Sequence, residues 1–139
     1  MKEFRGKSVR YDGRWFYGRY KRLDPSGAFT RAAIVLEHGI VTPNWVEVIE
    51  VYPDTVGQYI YKIDKHGAKI FENDLVKTKY GRICKVAWND EISGFDLISV
   101  AKMDCKAPDE HDFWLSENLE VIGNIFDNEW ILNKHSQIN

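Results

Sequence analysis

The sequence predicts a mainly β protein, and three observations carry that prediction. Runs of β-branched and aromatic residues alternate with polar residues at period two, while no window repeats apolar residues at helical spacing. Asp-Gly, Asn-Asp and Tyr-Gly pairs separate these runs, as expected for tight turns. The 139 residues include five Trp, seven Tyr and seven Phe, which are residue types enriched in strands. We expect a small β-hairpin unit over residues 1–54, a barrel-like β unit over residues 55–132 and a flexible tail over residues 133–139.

The composition is typical of a globular protein of the cytoplasm. Hydrophobic residues make up 44% and charged residues 29% of the chain. No apolar run approaches the roughly 20 residues of a membrane helix, so we expect no membrane contact. The polar first residues lack a secretory signal. In a reducing compartment, Cys84 and Cys105 are expected to remain thiols.

The N-terminal residues predict an aromatic hairpin. Phe4–Val9 forms its first strand, the Asp-Gly pair at Gly13 its turn, and Trp15–Lys21 its return strand. Residues at odd and even positions of the return strand face opposite ways. Four aromatics in six residues, with arginines between them, are compatible with a platform for stacking bases, but two buried faces of a small β module are favoured. The candidate contact residues of this hairpin are Trp15, Phe16, Tyr17 and Arg19.

Two more strands complete the first unit. Ala32–Leu36 reads as a buried strand, and Glu37-His38-Gly39 reads as the turn after it, with His38 exposed. Trp45–Val51 is rich in β-branched residues and is expected to be a strand.

The second unit is organised around a central hairpin. Gly81 lies at its tip with an expected positive φ, and Cys84, Val86 and Trp88 follow at period two, which predicts that they point into the core. Residues 102–117 read as an acidic loop, residues 121–126 as a closing strand bent at Gly123, and residues 128–132 as one helical turn.

No catalytic or metal-binding constellation stands out in the sequence. The histidines and cysteine of the C-terminal part lack standard zinc spacing. The paired carboxylates Glu72 and Asp74 flank a turn, where Asp74 is expected to bond its own backbone. We therefore predict a protein that is not an enzyme, with no cofactor, no metal and no catalytic residue. The weighed metal ligands are Cys105, Asp109, His111, Asp112 and His135.

The net charge of −2 hides an asymmetry along the chain. Residues 1–31 carry nine basic and three acidic residues, residues 32–88 balance, and residues 89–139 carry three basic and eleven acidic residues. Opposite charges at the two ends of the chain favour self-association over nucleic-acid binding. Proteins that bind nucleic acid usually have a basic net charge or a concentrated basic stripe.

Several motifs resemble the YopX family, small proteins of bacteriophages and prophages. These motifs are Phe4–Lys7, Asp12–Gly18, Thr55–Tyr59, Asp64–Gly67, Ile70–Val76 and Val121–Asn128. His66 and Asn73 depart from the family's Asn and Gly at two turns. The resemblance implies a phage-encoded protein of the bacterial cytoplasm with an SH3-like barrel in its C-terminal part. It implies no known activity, so no catalytic residue is carried over.

These observations favour a non-catalytic interaction or regulatory protein that forms homo-oligomers through the N-terminal hairpin. Its expected partner is a second copy of itself, or a host or phage protein. The alternative is a nucleic-acid-binding module that uses the same basic, aromatic hairpin.

Overall fold

The computed structural model describes residues 2–24, 31–38, 45–100 and 118–136. These ranges hold ten strands and one α-helix, so the prediction of a mainly β fold is confirmed. The elements are β1 Phe4–Lys7, β2 Trp15–Arg22, β3 Ala32–His38, β4 Trp45–Val51, β5 Gly57–Ile63, β6 Lys69–Phe71, β7 Asp74–Lys77, β8 Ile83–Asn89, β9 Gly94–Ser99, β10 Glu120–Asn124 and α1 Glu129–Ser136.

The chain divides into two compact units, Met1–Tyr59 and Ile60–Asn139. In the first unit the strands follow the antiparallel order β4-β3-β2-β1-β5. The predicted hairpin of β1 and β2 is confirmed, because Gly13 takes a φ of 73° at its turn. The amide of Arg14 closes that turn on the carbonyl of Tyr11 at 2.9 Å.

The core of the first unit lies on one face of its sheet. Ala32, Ile34, Ile49 and Val51 are buried there, and Phe16 packs against them. The sequence placed Glu37 and His38 in a turn, and this was wrong, because β3 continues through both residues and pairs with β4. Continued pairing satisfies their backbone groups, which outweighs the turn signal of the Gly that follows.

The second unit holds an antiparallel sheet of order β10-β7-β8-β9. One face of this sheet buries an apolar cluster, in which Cys84 is 1% exposed, as predicted. The other face buries Leu75 and Ile83 against Ile131 of α1. A helix forms where one helical turn was expected, but it begins one residue later, at Glu129, and extends to Ser136, so it includes part of the range assigned to a tail.

The prediction that Trp88 lies in the core is wrong. Trp88 continues the face set by Cys84 and Val86, but its side chain is 49% exposed. It lies beside Phe95 near the end of the sheet, where its ring meets the Phe95 ring edge-on at 5.2 Å between centroids. The alternation of residues along β8 therefore gave the correct face for Trp88, but the buried core on that face ends at Val86.

Neither sheet is closed into a barrel over the described ranges, so a closed SH3-like barrel is not confirmed. The acidic loop predicted for residues 102–117 lies outside the described residues, as does Cys105.

Candidate functional site

The strand β2 separates the four candidate contact residues onto two faces. Phe16 packs on the core of the first unit, together with Ile34 and Val51. Tyr17 and Arg19 lie on the opposite face, where about half of each side chain is exposed. Trp15 shares their side of the strand and is partly buried. The structure thus brings three of the four residues together and assigns Phe16 to the core.

We call this opposite side of the first sheet the outer face. Cross-strand pairing extends it from β1 to β4, because directly opposed residues of antiparallel strands share a face. Its members are Arg5, Lys7, Trp15, Tyr17, Arg19, Lys21, Ala33, Val35, Glu37, Val46, Val48 and Glu50.

The half of the outer face formed by β1 and β2 is basic and aromatic. Arg5 lies opposite Tyr17, and Lys7 lies opposite Trp15. The guanidinium of Arg5 is 4.8 Å from the centroid of the Trp15 ring, within the range of a cation–π contact. Arg5 is only 6% exposed, so this contact holds the indole and the charge in a fixed arrangement.

The half formed by β3 and β4 is apolar with paired charges at its margins. Val46 and Val48 of β4 are 51% and 44% exposed, beside the buried Val35 of β3. Arg19 forms a salt bridge with Glu37 at one margin.

A second ion pair closes the other margin of the apolar half. The Arg31 guanidinium donates to both carboxylate oxygens of Glu50, at 3.0 and 3.1 Å. These hydrogen bonds raise the pKa of Arg31 and lower the pKa of Glu50. Both side chains are largely exposed, so the pair orients charge and adds little stability.

The strand β4 also exposes Trp45, on the face opposite the outer face. Its indole is 57% exposed and stacks on the His38 ring, with 3.8 Å between centroids and 9° between planes. The Nε2 atom of His38 lies 3.6 Å from Glu47 Oε1. Sequence analysis did not identify Trp45, Val46 or Val48 as surface residues, because apolar residues on both faces of one strand usually indicate a strand that is buried on both faces.

The carboxylate pair considered for acid–base chemistry has a structural role at Asp74. Its Oδ2 atom accepts a hydrogen bond of 2.7 Å from the amide of Phe71, and the residue is 1% exposed. Asn73 takes a φ of 73° in the same turn, as its residue type predicts. Within the described ranges, no group of three His, Cys, Asp or Glu side chains is arranged to hold a metal ion. The considered ligands Cys105, Asp109, His111 and Asp112 lie outside those ranges, as does the side chain of His135.

The turn motifs of the second unit are also structural. Asp64 is 6% exposed and accepts backbone hydrogen bonds from His66 and Ala68 at 2.8 Å and from Val121 at 2.9 Å. Burial alone would raise the pKa of this carboxyl, but the three backbone donors together outweigh it and lower the pKa.

The side chains of the closing motif, residues 121–128, also bond the backbone of their own turn. Asn124 Oδ1 accepts hydrogen bonds from the amides of Phe126 and Asp127, both at 2.9 Å. Asn128 Oδ1 accepts one from the amide of Asn124 at 3.1 Å. These side chains replace the backbone partners that the chain loses where it leaves β10.

Together, these features define a small β protein with an exposed mixed face on its first sheet and motif residues that build turns. Residues 3–133 match the sequence profile of the YopX protein family, and the chain belongs to that family. No curated protein matches the chain.

The fold has a counterpart among solved structures. The crystal structure of protein EF1440 from Enterococcus faecalis is similar to this chain with a TM-score of 0.55, at 18% sequence identity. The likeness covers 95% of this chain and 98% of that one. At this identity it shows a shared fold. In the described part of the chain, no helix is long and apolar enough to cross a membrane.

Proposed function

We propose that this member of the YopX family is a non-catalytic interaction protein that assembles with copies of itself. Its contact surface is the apolar half of the outer face. The observation that carries this proposal is the pair of half-exposed valines, Val46 and Val48, beside the buried Val35. An apolar centre with charged residues at its margin is the usual composition of a protein–protein contact.

The charge distribution supports a partner of the same sequence. Residues 1–31 carry a net charge of +6 and residues 89–139 a net charge of −8, so the opposite ends of two copies attract each other. This attraction between the charges of two copies is screened by salt, while the apolar centre of the contact is not. Assembly is therefore expected to weaken partly, and not completely, as salt is added.

The residues predicted from sequence border this surface. Arg19 lies opposite Val35 and pairs with Glu37. Tyr17 lies further from β4 on the same face, so we assign Tyr17 and Arg19 to the rim of the contact. Replacing a rim residue is expected to weaken assembly less than replacing Val48.

Sedimentation of two matched variants tests the proposal. Val48→Lys adds a charge to the centre of the surface, and it is expected to shift the protein to monomer while leaving it folded. Tyr80→Lys is the control, because Tyr80 is also about half exposed, at 45%, but lies in the second unit. An unchanged assembly in Val48→Lys contradicts the proposal, whereas loss of assembly in both variants points to a non-specific charge effect.

Nucleic-acid binding is the second candidate, and it uses the other half of the outer face. The observation in its favour is that the half-exposed Tyr17 and Arg19 share a face with Lys7 and Trp15 on two paired strands, which suits base stacking beside a phosphate backbone. Titration with a labelled single-stranded oligonucleotide at several salt concentrations tests this. Binding that weakens steeply with salt and is lost in Tyr17→Ala supports the candidate, and no binding at low salt excludes it.

The family supports three finer proposals. The second unit is proposed to be an SH3-like barrel, since β10 returns to pair with β7, the first strand of its sheet.

The protein is proposed to be encoded by a phage or prophage and to act in the bacterial cytoplasm, where a host or phage protein is an alternative partner. An experimental structure in which the strands of the second unit stay open contradicts the first proposal, and sequencing around the gene tests the second. Fractionation of the host cell tests the third.

A further inference from the structure

The outer edge of β4 is a strand edge whose backbone groups point away from the sheet. β4 is the terminal strand of its sheet, and the carbonyl of Glu50 accepts a hydrogen bond of 3.0 Å from Val9 on the side away from β3. Backbone groups of alternate residues point the same way, so those of Val46 and Val48 also point outward. Within the described ranges, no other segment forms backbone hydrogen bonds with them.

The C-terminal end of this edge is covered by the segment Ser8–Val9, which bonds Glu50 and bridges Val51, and its N-terminal half lacks most of the features that protect a terminal strand. Proteins protect such edges with charged side chains, especially Lys, with Pro, with a bulge, with a very short strand or with a covering segment. The strand from Trp45 to Val51 contains no Lys, Arg or Pro, and it pairs with β3 over seven residues without a bulge. Three of its side chains, Trp45, Val46 and Val48, are instead apolar and between 44% and 57% exposed.

We infer that the edge of β4 pairs antiparallel with the same edge of a second copy of this chain, around a twofold axis at Glu47. This inference rests on the self-association proposed above and names its geometry. Val46 then lies opposite Val48 of the second copy, and each such pair exchanges two backbone hydrogen bonds. Trp45 lies opposite Ile49 of the second copy, so the facing pairs on both sides of Glu47 are apolar.

The hydrogen bonds already present rule out a register shifted towards the C-terminal end of β4. A twofold axis at Val48 would place Val46 opposite Glu50 of the second copy and would need the Glu50 carbonyl that Val9 already occupies. With the axis at Glu47, hydrogen bonds between the copies need only the outward-pointing backbone N–H and C=O groups of Val46 and Val48. It also places Val46 of the second copy opposite Val48, whose neighbour on β3 is Val35, so the two apolar halves of the outer face become continuous.

The charges are compatible with this pairing at all positions except one. Glu37 and Glu50 are each paired within their own copy, with Arg19 and Arg31. Glu47 faces Glu47 of the second copy, and the His38 Nε2 atom lies 3.6 Å from the carboxylate of its own copy. The like-charged pair weakens the contact and provides a test of the register.

A single engineered cysteine tests the pairing directly. In Cys105→Ser protein, Glu47→Cys places two thiols across a pair that is not hydrogen-bonded, where Cα atoms lie about 4.5 Å apart and a disulfide can form. We expect a cross-linked dimer on mild copper-catalysed oxidation. Glu37→Cys in the same background is the control, since Glu37 lies on β3, away from the edge, and is expected to stay monomeric on a non-reducing gel.

The charge at the axis gives a second, independent readout. Glu47→Gln removes the facing like charges and is expected to tighten the dimer about two- to fivefold in a sedimentation assay. A dimer by light scattering that neither cross-links through Glu47→Cys nor tightens with Glu47→Gln overturns the edge pairing but leaves self-association standing. A wild-type protein that is monomeric at all concentrations overturns both.

Discussion

The backbone amide of Val121 donates a hydrogen bond of 2.9 Å to Asp64 Oδ2, joining two residues that are 57 positions apart in the chain. The other oxygen of the same carboxylate accepts hydrogen bonds from the backbone amides of His66 and Ala68. One buried side chain therefore shapes the turn after β5 and holds the start of β10 against it.

Replacing Asp64 is expected to destabilise the second unit strongly. Asp64→Ala leaves three part-buried backbone amides without their acceptor, at a cost of about 1–3 kcal/mol for each donor that water does not reach. Chemical denaturation measures the loss. Asp96→Ala is a suitable control, because Asp96 accepts one backbone bond, from the adjacent Leu97 amide, so a similar loss there would contradict the assigned role.

The same carboxylate predicts a pH dependence of stability. The pKa of Asp64 is lower in the folded protein than its ordinary value of about 3.9, so the folded state favours the ionised form. The contribution of the ionised Asp64 side chain to the free energy of unfolding is complete above about pH 4. It is lost as the pH falls through the lower pKa of the folded state. Thermal unfolding of wild type and Asp64→Asn should therefore converge towards low pH, and a constant difference would falsify the linkage.

Gly123→Ala is expected to destabilise β10 by about 1–3 kcal/mol, because Gly123 has a φ of 157° that strains a side chain and because a new methyl group must be forced into a filled site. A Cβ atom at Gly123 would lie 2.3 Å from Asn128 Oδ1, and moving that oxygen breaks its bond to the Asn124 amide. Gly94→Ala is the matched control, since its nearest atom would be 3.7 Å away. Equal melting temperatures for the two variants would show that Asn128 moves freely.

Gly81→Val is expected to cost about 1–3 kcal/mol through its backbone conformation. Gly81 has a φ of 87°, and an added Cβ would meet only Lys77 Cε at 4.0 Å, so the penalty is local strain and not a collision. Gly81→Asn should recover most of the loss, because Asn tolerates this region. Thermal melts of both variants give the comparison, and equal losses would show that strain at positive φ is not the cause.

Trp88→Ala is expected to cost only about 1 kcal/mol, since half of the side chain is exposed and both its edge-on contact with Phe95 and its Nε1 hydrogen bond to Asp90 lie near the surface. Val86→Ala on the same face should cost about 2 kcal/mol, because Val86 is fully buried and its truncation leaves a cavity. Denaturation midpoints that rank the two variants in the opposite order would contradict the placement of Trp88 at the end of the sheet.

The features predicted well from sequence are those decided by neighbouring residues. Gly13, Asn73 and Gly81 take positive φ where their residue types favour it, and Asp74 bonds its own turn. Strand faces also followed from period two, which is why Cys84 was placed correctly.

The features that were missed depend on contacts distant in sequence. The exposure of Trp88 depends on where the sheet ends, and the exposed valines of β4 depend on which strand ends the sheet. Neither the end of a sheet nor its strand order is encoded in the alternation of one strand. The split of Trp15 and Phe16 between two faces was visible in the sequence, but which face became the core was set by β3 and β4.

Light scattering of the wild-type protein over a dilution series measures self-association itself. We expect a mass above the 16.2 kDa of one chain at micromolar concentration, falling towards that value on dilution and partly on addition of salt. A mass of 16.2 kDa at every concentration, at low and high salt alike, would contradict it.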